Sequence, residues 1–390
     1  MISLARPGNG RLPKIVAPYP ELMTAEAGAT DPTVEMTPEL AEQIAAVRAR
    51  YAADVANGLE HFFEPPRTTC PWCESPRLKE RLSSGDQIQR KPGWFTLMAC
   101  RSCGHVFQNP RLNLDGLDYY YRDFYDGIGG AQVEAGFELG LEGNLARARH
   151  LKQFFPDTPP RRWVDVGTGY GHFCRDARAI WPETRFEGLD MGVSVEQGKE
   201  RGWLDEAHRG FLPDLAPGLA GQFDVVSMHH YMEHTRDPRI ELDSAAMLLR
   251  EGGVLMIEVP NPESLFGKLV GRWWFPWLQP QHLNFVPRAN LMQAMLHRGL
   301  KPVLEVRGES HIPVDLTFLV ALPMLWWAPY PGMPWFEDIE DPARQKRFDT
   351  VLKLGPKAHK AVQPLERMRT KLAHATDRGN TYRVLARKES

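Results

Sequence analysis

Apolar and polar positions change their rhythm along this chain. Through residue 36 they follow no period, and Pro, Gly and small residues dominate, which reads as an extended arm. Residues 38–58 are helix-compatible, with Thr37 as N-cap and Pro38 at the first helical position. From about residue 141 short apolar runs alternate with helical segments. Strands are expected at 162–166, 185–190, 223–228, 254–259, 301–306 and 381–386. Helices are expected at 141–155, 172–180, 194–201 and 288–298, with another that starts at Asp237-Pro238 and is ended by Gly252-Gly253. Such alternation predicts an α/β domain with a mostly parallel sheet and helices on both faces.

Residues 311–378 separate the last two strands, and 68 residues are too many for a plain loop. The insertion carries Leu322-Pro323-Met324-Leu325-Trp326-Trp327 and Trp335-Phe336. Its basic part, 343–374, is helix-compatible except at Pro356 and Pro364, which should interrupt it. A lid, a partner surface or an added helical layer of the core would each account for it. The most apolar run, 316–328, contains Pro323 and falls short of the roughly 20 residues that cross a bilayer. The chain therefore reads as soluble and cytoplasmic, without a transmembrane segment. Peripheral membrane contact by Trp273, Trp274, Trp277, Trp326, Trp327 and Trp335 is the lesser expectation, and core burial the greater.

Composition narrows the classes. The balance of 47 Lys+Arg against 49 Asp+Glu gives −2, which argues against a polybasic nucleic-acid binder. Five cysteines in 390 residues make no disulfide scaffold. Four of them form two C-x2-C pairs, Cys70/Cys73 and Cys100/Cys103, 26 residues apart. Four thiolates at that spacing fit tetrahedral Zn2+, and no position stays open for a substrate, so the zinc is expected to be structural. A ribbon this small would take its folding energy from the metal.

The segment Trp163-Val-Asp165-Val-Gly167-Thr168-Gly169-Tyr-Gly171 runs from a buried strand through three glycines into a helix. Glycine allows the tight turn and lets a ligand approach the backbone. Asp190 ends the next strand, where an acid can accept hydrogen bonds from a ribose diol. The glycine spacing departs from the dinucleotide fingerprint. Asp165 would also repel a pyrophosphate but suits a cationic amino-acid portion. S-adenosylmethionine combines that portion with a ribose and no phosphate.

At these residues the chain resembles the class I S-adenosylmethionine-dependent methyltransferases over about 141–310 and 381–386. The resemblance rests on Asp165–Gly171, on Phe186-Glu-Gly-Leu-Asp190, on the run from Phe223 to Glu233-His234, and on Gly252 to Glu258. It implies a Rossmann-like sheet of seven strands with the last antiparallel and inserted beside the fifth. It also implies that Asp165, Gly167, Thr168 and Gly169 line the methionine end and that Asp190 holds the ribose. Met191, Phe211 and Leu212 would flank the adenine, with Met228 and His229 near the sulfur. The cysteine pairs and the following tyrosines resemble a subgroup that joins an N-terminal zinc ribbon to this domain, including sugar C-methyltransferases and enzymes of polysaccharide clusters. In that subgroup the ribbon and tyrosines cover the substrate pocket. Packing between domains is the competing reading for Tyr119, Tyr120 and Tyr121.

Methyl transfer needs alignment and removal of a proton. His282 is the first candidate base and His230 the second. Sugar C-methyltransferases carry Tyr-x-Glu-His where this chain has Gln279-Pro280-Gln281-His282, and neither glutamine can act as a base. A small-molecule substrate methylated on oxygen or nitrogen is therefore favoured over carbon methylation. The alternatives are an RNA or protein methyltransferase that grips its substrate with the ribbon, and a non-enzymatic zinc-stabilised scaffold. The expected organisation is an arm and helix over 1–64, a zinc ribbon and aromatic linker over 65–126, and the methyltransferase domain over 127–390 with its insertion at 311–378.

Overall fold

The computed structural model describes residues 15–16, 33–34, 38–124, 134, 136–309, 313–329, 333–336 and 341–389. The arm lies outside them, apart from β1 (Ile15–Val16) and β2 (Thr33–Val34), which pair antiparallel. Thr37 and the stretch 127–130, which the sequence reads as a hinge or loop, also lie outside.

Seven strands form the main sheet: β6 (Arg162–Val166), β7 (Arg185–Asp190), β8 (Glu206–Arg209), β9 (Phe223–His229), β10 (Leu249–Pro260), β12 (Leu300–Val306) and β13 (Thr381–Lys388). Their order is β12-β13-β10-β9-β6-β7-β8. The five from β6 to β10 are mutually parallel. β13 runs antiparallel between β10 and β12. The central strand β9 is buried on both faces up to Ser227-Met228, as a sheet covered by helices on each side requires. This is the expected seven-stranded methyltransferase topology. It gathers the ends of β6, β7, β8, β9 and β10 on one edge, where open α/β sheets bind ligands.

Two local expectations need correction. The helix from Pro238 ends at Leu248, before the glycines. Gly252-Gly253 lie inside β10, where its register against β9 shifts between Leu249 and Val254 and Gly252 adopts φ of 72°. The helix Pro342–Thr376 runs unbroken through Pro356 and Pro364. Both prolines face solvent, so water can reach the carbonyls that lose a helical partner.

The insertion is an added helical layer. Glu366 caps the helix Asp315–Trp327 by accepting from the Leu316 and Thr317 amides at 2.7 and 3.0 Å, and Arg369 pairs with Asp315. Trp335 donates its indole N–H to the Gln89 carbonyl at 2.7 Å and meets Tyr51 edge-on at 5.3 Å. With Phe62, Tyr119, Tyr120 and Phe348 these rings form one buried cluster, so Tyr119 and Tyr120 serve packing. Trp274 and Trp277 are buried as expected, while Trp327 is exposed.

Packing crosses the boundary expected near residue 126. β3 (Leu78–Ser84), β4 (Phe95–Cys100) and β5 (Val106–Gln108) form an antiparallel sheet whose fourth strand is β11 (Asn284–Phe285), from the methyltransferase part. Among the described residues no helix is long and apolar enough to cross a membrane.

Replacing Trp335 with Ala should cost about 3–5 kcal/mol in urea unfolding, the usual penalty for emptying a buried aromatic site. A loss under about 1 kcal/mol would show that the ring does not anchor the insertion.

Candidate functional site

The glycine loop leaves one face of its backbone bare. Gly167, Gly169 and Gly171 take φ of 73°, 54° and 88°. A Cβ at Gly167 would strike the Tyr231 ring at 2.6 Å, and one at Gly171 would strike Leu204 at 2.8 Å. A Cβ at Gly169 would meet nothing within 4 Å, so a ligand can approach there. The Gly169 and Gly192 amides donate to the two carboxylate oxygens of Asp190 at 3.0 and 2.8 Å. Each oxygen keeps a lone pair for a further donor. Burial pushes the Asp190 pKa up. Gly210 donates its amide to the Asp190 carbonyl at 2.9 Å, which brings Phe211 beside the end of β7. Met191 and Phe211 are 64% and 50% exposed, two apolar side chains at the rim of the loop.

Other expected contacts lie deeper. Leu212, expected beside the adenine, and Met228, expected near the sulfur, have side chains buried in the core. Thr168 is buried within the loop. Asp165 sits beneath it and accepts from the Ser227 hydroxyl at 2.6 Å, which itself accepts from the Trp163 indole at 2.8 Å. Burial raises the Asp165 pKa to about 7. His229 Nε2 lies 3.9 Å from Asp165, and its ring rests 4.5 Å from Phe173. Among the described residues neither ring nitrogen of His229 has a hydrogen-bond partner, and burial holds the imidazole neutral.

The next residue carries the opposite charge state. His230 adopts φ of 53°, and its two ring nitrogens meet Glu233 at 2.9 Å and Glu258 at 3.2 Å. Burial alone would lower its pKa, but the two carboxylates outweigh it and raise the value to about 9. His230 is thus an imidazolium at neutral pH with both nitrogens donating. Both nitrogens that the expected base role of His230 would draw on face carboxylates in this arrangement. Glu258 also accepts from Arg147 at 2.5 and 3.1 Å and from Arg383 at 2.5 and 2.6 Å. Burial would raise the Glu258 pKa, yet the two guanidiniums hold it well below the carboxylate range. Sequence reasoning assigned no role to Glu258, Arg147 or Arg383. The signal was a single charge inside the apolar runs of β10 and β13, which calls for a buried partner.

His282 has a defined tautomer. Its Nδ1–H donates to the Pro276 carbonyl at 2.7 Å, so Nε2 holds the lone pair. Burial, then the nearby His234, keeps its pKa well below the ordinary histidine value. The His234 ring stands edge-on at 4.5 Å, and Glu233, His234 and His282 bring their polar atoms within 4.8 Å of one another. The ribbon side holds this group in place. The Tyr121 hydroxyl bridges His234 Nδ1 at 2.7 Å and the Gln281 carbonyl at 3.1 Å. Gln108 donates to the Gln279 side chain at 2.9 Å, and Gln279 donates to the His282 carbonyl at 2.7 Å.

Cys70, Cys73, Cys100 and Cys103 come together with all four sulfurs within 4.8 Å of one another. The pairs Cys70–Cys103 and Cys73–Cys100 stand 3.7 and 3.6 Å apart. Tetrahedral zinc–thiolate bonds of about 2.3 Å imply sulfur–sulfur edges of about 3.8 Å, so the cage fits that ion. The Trp72 and Ser102 amides donate to Cys70 and Cys100 at 3.4 Å.

Residues 141–305 match the sequence model of a family described as a methyltransferase domain. With the sheet order, this makes the region a class I S-adenosylmethionine-dependent methyltransferase domain. Curated relatives sharpen the comparison. The chain is 28% identical over 171 residues to a ubiquinone biosynthesis O-methyltransferase of Marinobacter nauticus, covering 40% of this chain and 71% of the relative. A protein of the same description from Bordetella avium is 27% identical over 180 residues, 44% of this chain and 74% of the relative. A solved methyltransferase from Thermotoga maritima, titled a possible histamine N-methyltransferase, gives a TM-score of 0.41 at 15% identity and covers 69% of this chain and 100% of its own. The bare Gly169 backbone, the two free lone pairs of Asp190 and the exposed Met191 and Phe211 fit the nucleoside of S-adenosylmethionine.

The charge on His230 has a consequence for stability. Its folded pKa of about 9 exceeds the ordinary 6.5, so its contribution is complete below pH 6.5 and fades as pH rises toward 9. Unfolding free energy measured in urea should therefore decline across that window, and His230→Gln should remove most of the decline. Equal slopes in the two proteins would contradict a buried imidazolium.

Proposed function

We propose that this chain methylates a small molecule on oxygen or nitrogen, oxygen first, with His282 as the proton acceptor. The observation that carries the reading is His282 itself: a buried neutral imidazole whose Nδ1–H is committed to the Pro276 carbonyl, leaving Nε2 as a free base. The O-methyltransferase descriptions of the relatives support oxygen as the acceptor atom. When bound, S-adenosylmethionine supplies an activated methyl group on a sulfonium.

The chain's own residues then have separable tasks. Asp190 holds the ribose through the lone pairs left beside the Gly169 and Gly192 amides. Met191 and Phe211 cover the adenine with apolar surface. Gly167, Thr168 and Gly169 present backbone to the methionine portion, above the carboxylate of Asp165. His229, with two unpartnered nitrogens, offers a donor and an acceptor at the end of β9. His282 Nε2 would take the proton of the acceptor hydroxyl, the methyl group passing to that oxygen as its bond to sulfur breaks and the neutral thioether leaves. Its depressed pKa keeps it unprotonated at neutral pH, which a general base requires.

In this reading Cys70, Cys73, Cys100 and Cys103 hold one structural zinc, and the ribbon positions the loop that carries His282. Reduced thiolate cages of this kind belong to a cytoplasmic protein.

Calorimetric titration of S-adenosylhomocysteine should show binding to the wild type and at least about a tenfold loss in Asp190→Ala, since two hydrogen bonds to a charged group are removed. His282→Gln should keep that affinity and lose turnover. Unchanged affinity in Asp190→Ala would remove the cofactor assignment. Metal analysis should find one zinc per wild-type chain and less in Cys100→Ser, together with a lowered melting temperature. A zinc-free wild type of equal stability would remove the metal site.

A further inference from the structure

The insertion helix Pro342–Thr376 has three faces, and the fold uses one of them. Phe348, Val351, Gly355, Glu366 and Ala373 are buried against the protein. A second face carries Leu354, Ala358, Ala361, Leu365, Met368 and Leu372, in steps of four, three, four, three and four residues. That spacing draws one continuous stripe along a helix. Its four large members are between 50% and 65% exposed. The third face carries Lys346, Lys353, Lys357, Lys360, Arg367 and Lys371, all exposed. None of these six forms an ion pair among the described residues. The stripe broadens at its C-terminal half. There Arg369 lies over the Phe266 ring at 4.5 Å, beside a short helix that exposes Leu265 and Leu269.

We propose that this helix docks the protein on an anionic lipid surface, with the Leu/Met stripe in the headgroup layer and the lysine row against the lipid charge. An apolar stripe bordered by unpaired lysines is the pattern of a helix lying in a membrane interface. Charge decides among the occupants. The whole chain carries only −2, so the row is a local excess, and none of its six cations pairs with a carboxylate among the described residues. A second copy packed stripe to stripe would bring two lysine rows together, which like-charge repulsion opposes. A nucleic acid would use the lysines and leave the leucines in water. Of the tryptophans singled out in the sequence, Trp274, Trp277 and Trp335 are in the core and none lies on this helix, so the leucines and Met368 provide the apolar contact. The inference stands apart from the methyltransferase reading, because none of these side chains belongs to the glycine loop or the His282 group.

The test uses the full chain and two triple variants, Leu365→Ser/Met368→Ser/Leu372→Ser and Lys353→Glu/Lys357→Glu/Lys360→Glu. All six positions are exposed, so circular dichroism melts and S-adenosylhomocysteine binding should match the wild type. Wild-type protein should co-sediment with phosphatidylcholine vesicles containing about one-third phosphatidylglycerol, and not with phosphatidylcholine alone. Each variant should reduce that partitioning at least about tenfold, and salt should weaken the wild type. Failure of the wild type to sediment with the anionic vesicles overturns the proposal. So does a dimer, seen by sedimentation velocity, that the serine variant dissolves. A transfer-RNA gel shift that persists in the serine variant and is lost in the glutamate variant would assign the lysines to RNA instead.

Discussion

The arrangement turns on one buried carboxylate. Glu258 lies buried near the C-terminal end of β10, pairs in register with His229 of β9 and Arg383 of β13, and receives hydrogen bonds from Arg147, Arg383 and His230. A lone anion at that depth would cost several kcal/mol, and so would either guanidinium without it. The helix Leu141–His150, the last antiparallel strand and the turn after β9 must therefore come together. That requirement also accounts for the left-handed backbone of His230, which turns its ring back toward Glu258. The turn in its turn sets down Glu233 and His234 beside His282. A charge cluster under the sheet edge thus fixes the geometry of the candidate base without being part of it.

The second constraint comes from the other side. The loop carrying His282 has little regular structure, yet the ribbon side grips it at several points: the β5–β11 pairing, Gln108 to Gln279 and Tyr121 to His234. Folding energy from a metal in the cysteine cage would pass into the active edge through these contacts. The cysteine-bearing strands and the segment that carries His282 are thus continuous through one sheet.

Features that depend on neighbouring residues were readable in the sequence. The strand–glycine–helix passage around Gly167, the C-x2-C pairs and the alternation from residue 141 onward each encode local geometry, and the structure shows them at the expected positions. Features set by distant partners were not. His230 looked like a base because Glu258, 28 residues away, does not announce itself as its partner. That the side chains of Leu212 and Met228 turn into the core is set by packing against distant residues. Pro356 and Pro364 looked like helix breaks because their exposure, which makes them tolerable, is a property of the finished layer. That packing crosses the boundary expected near residue 126 was not legible, because β11 at Asn284–Phe285 joins a sheet whose first strand starts at Leu78.

The most direct measurement is the titration of His230 by nuclear magnetic resonance in the wild type and in Glu258→Gln. The account predicts a midpoint near 9 in the wild type. In the variant the midpoint should fall but keep part of its elevation, since Glu233 still faces the other ring nitrogen at 2.9 Å. A wild-type midpoint at or below 6.5, or the same midpoint in both proteins, would contradict the claim that Glu258 organises this edge of the sheet.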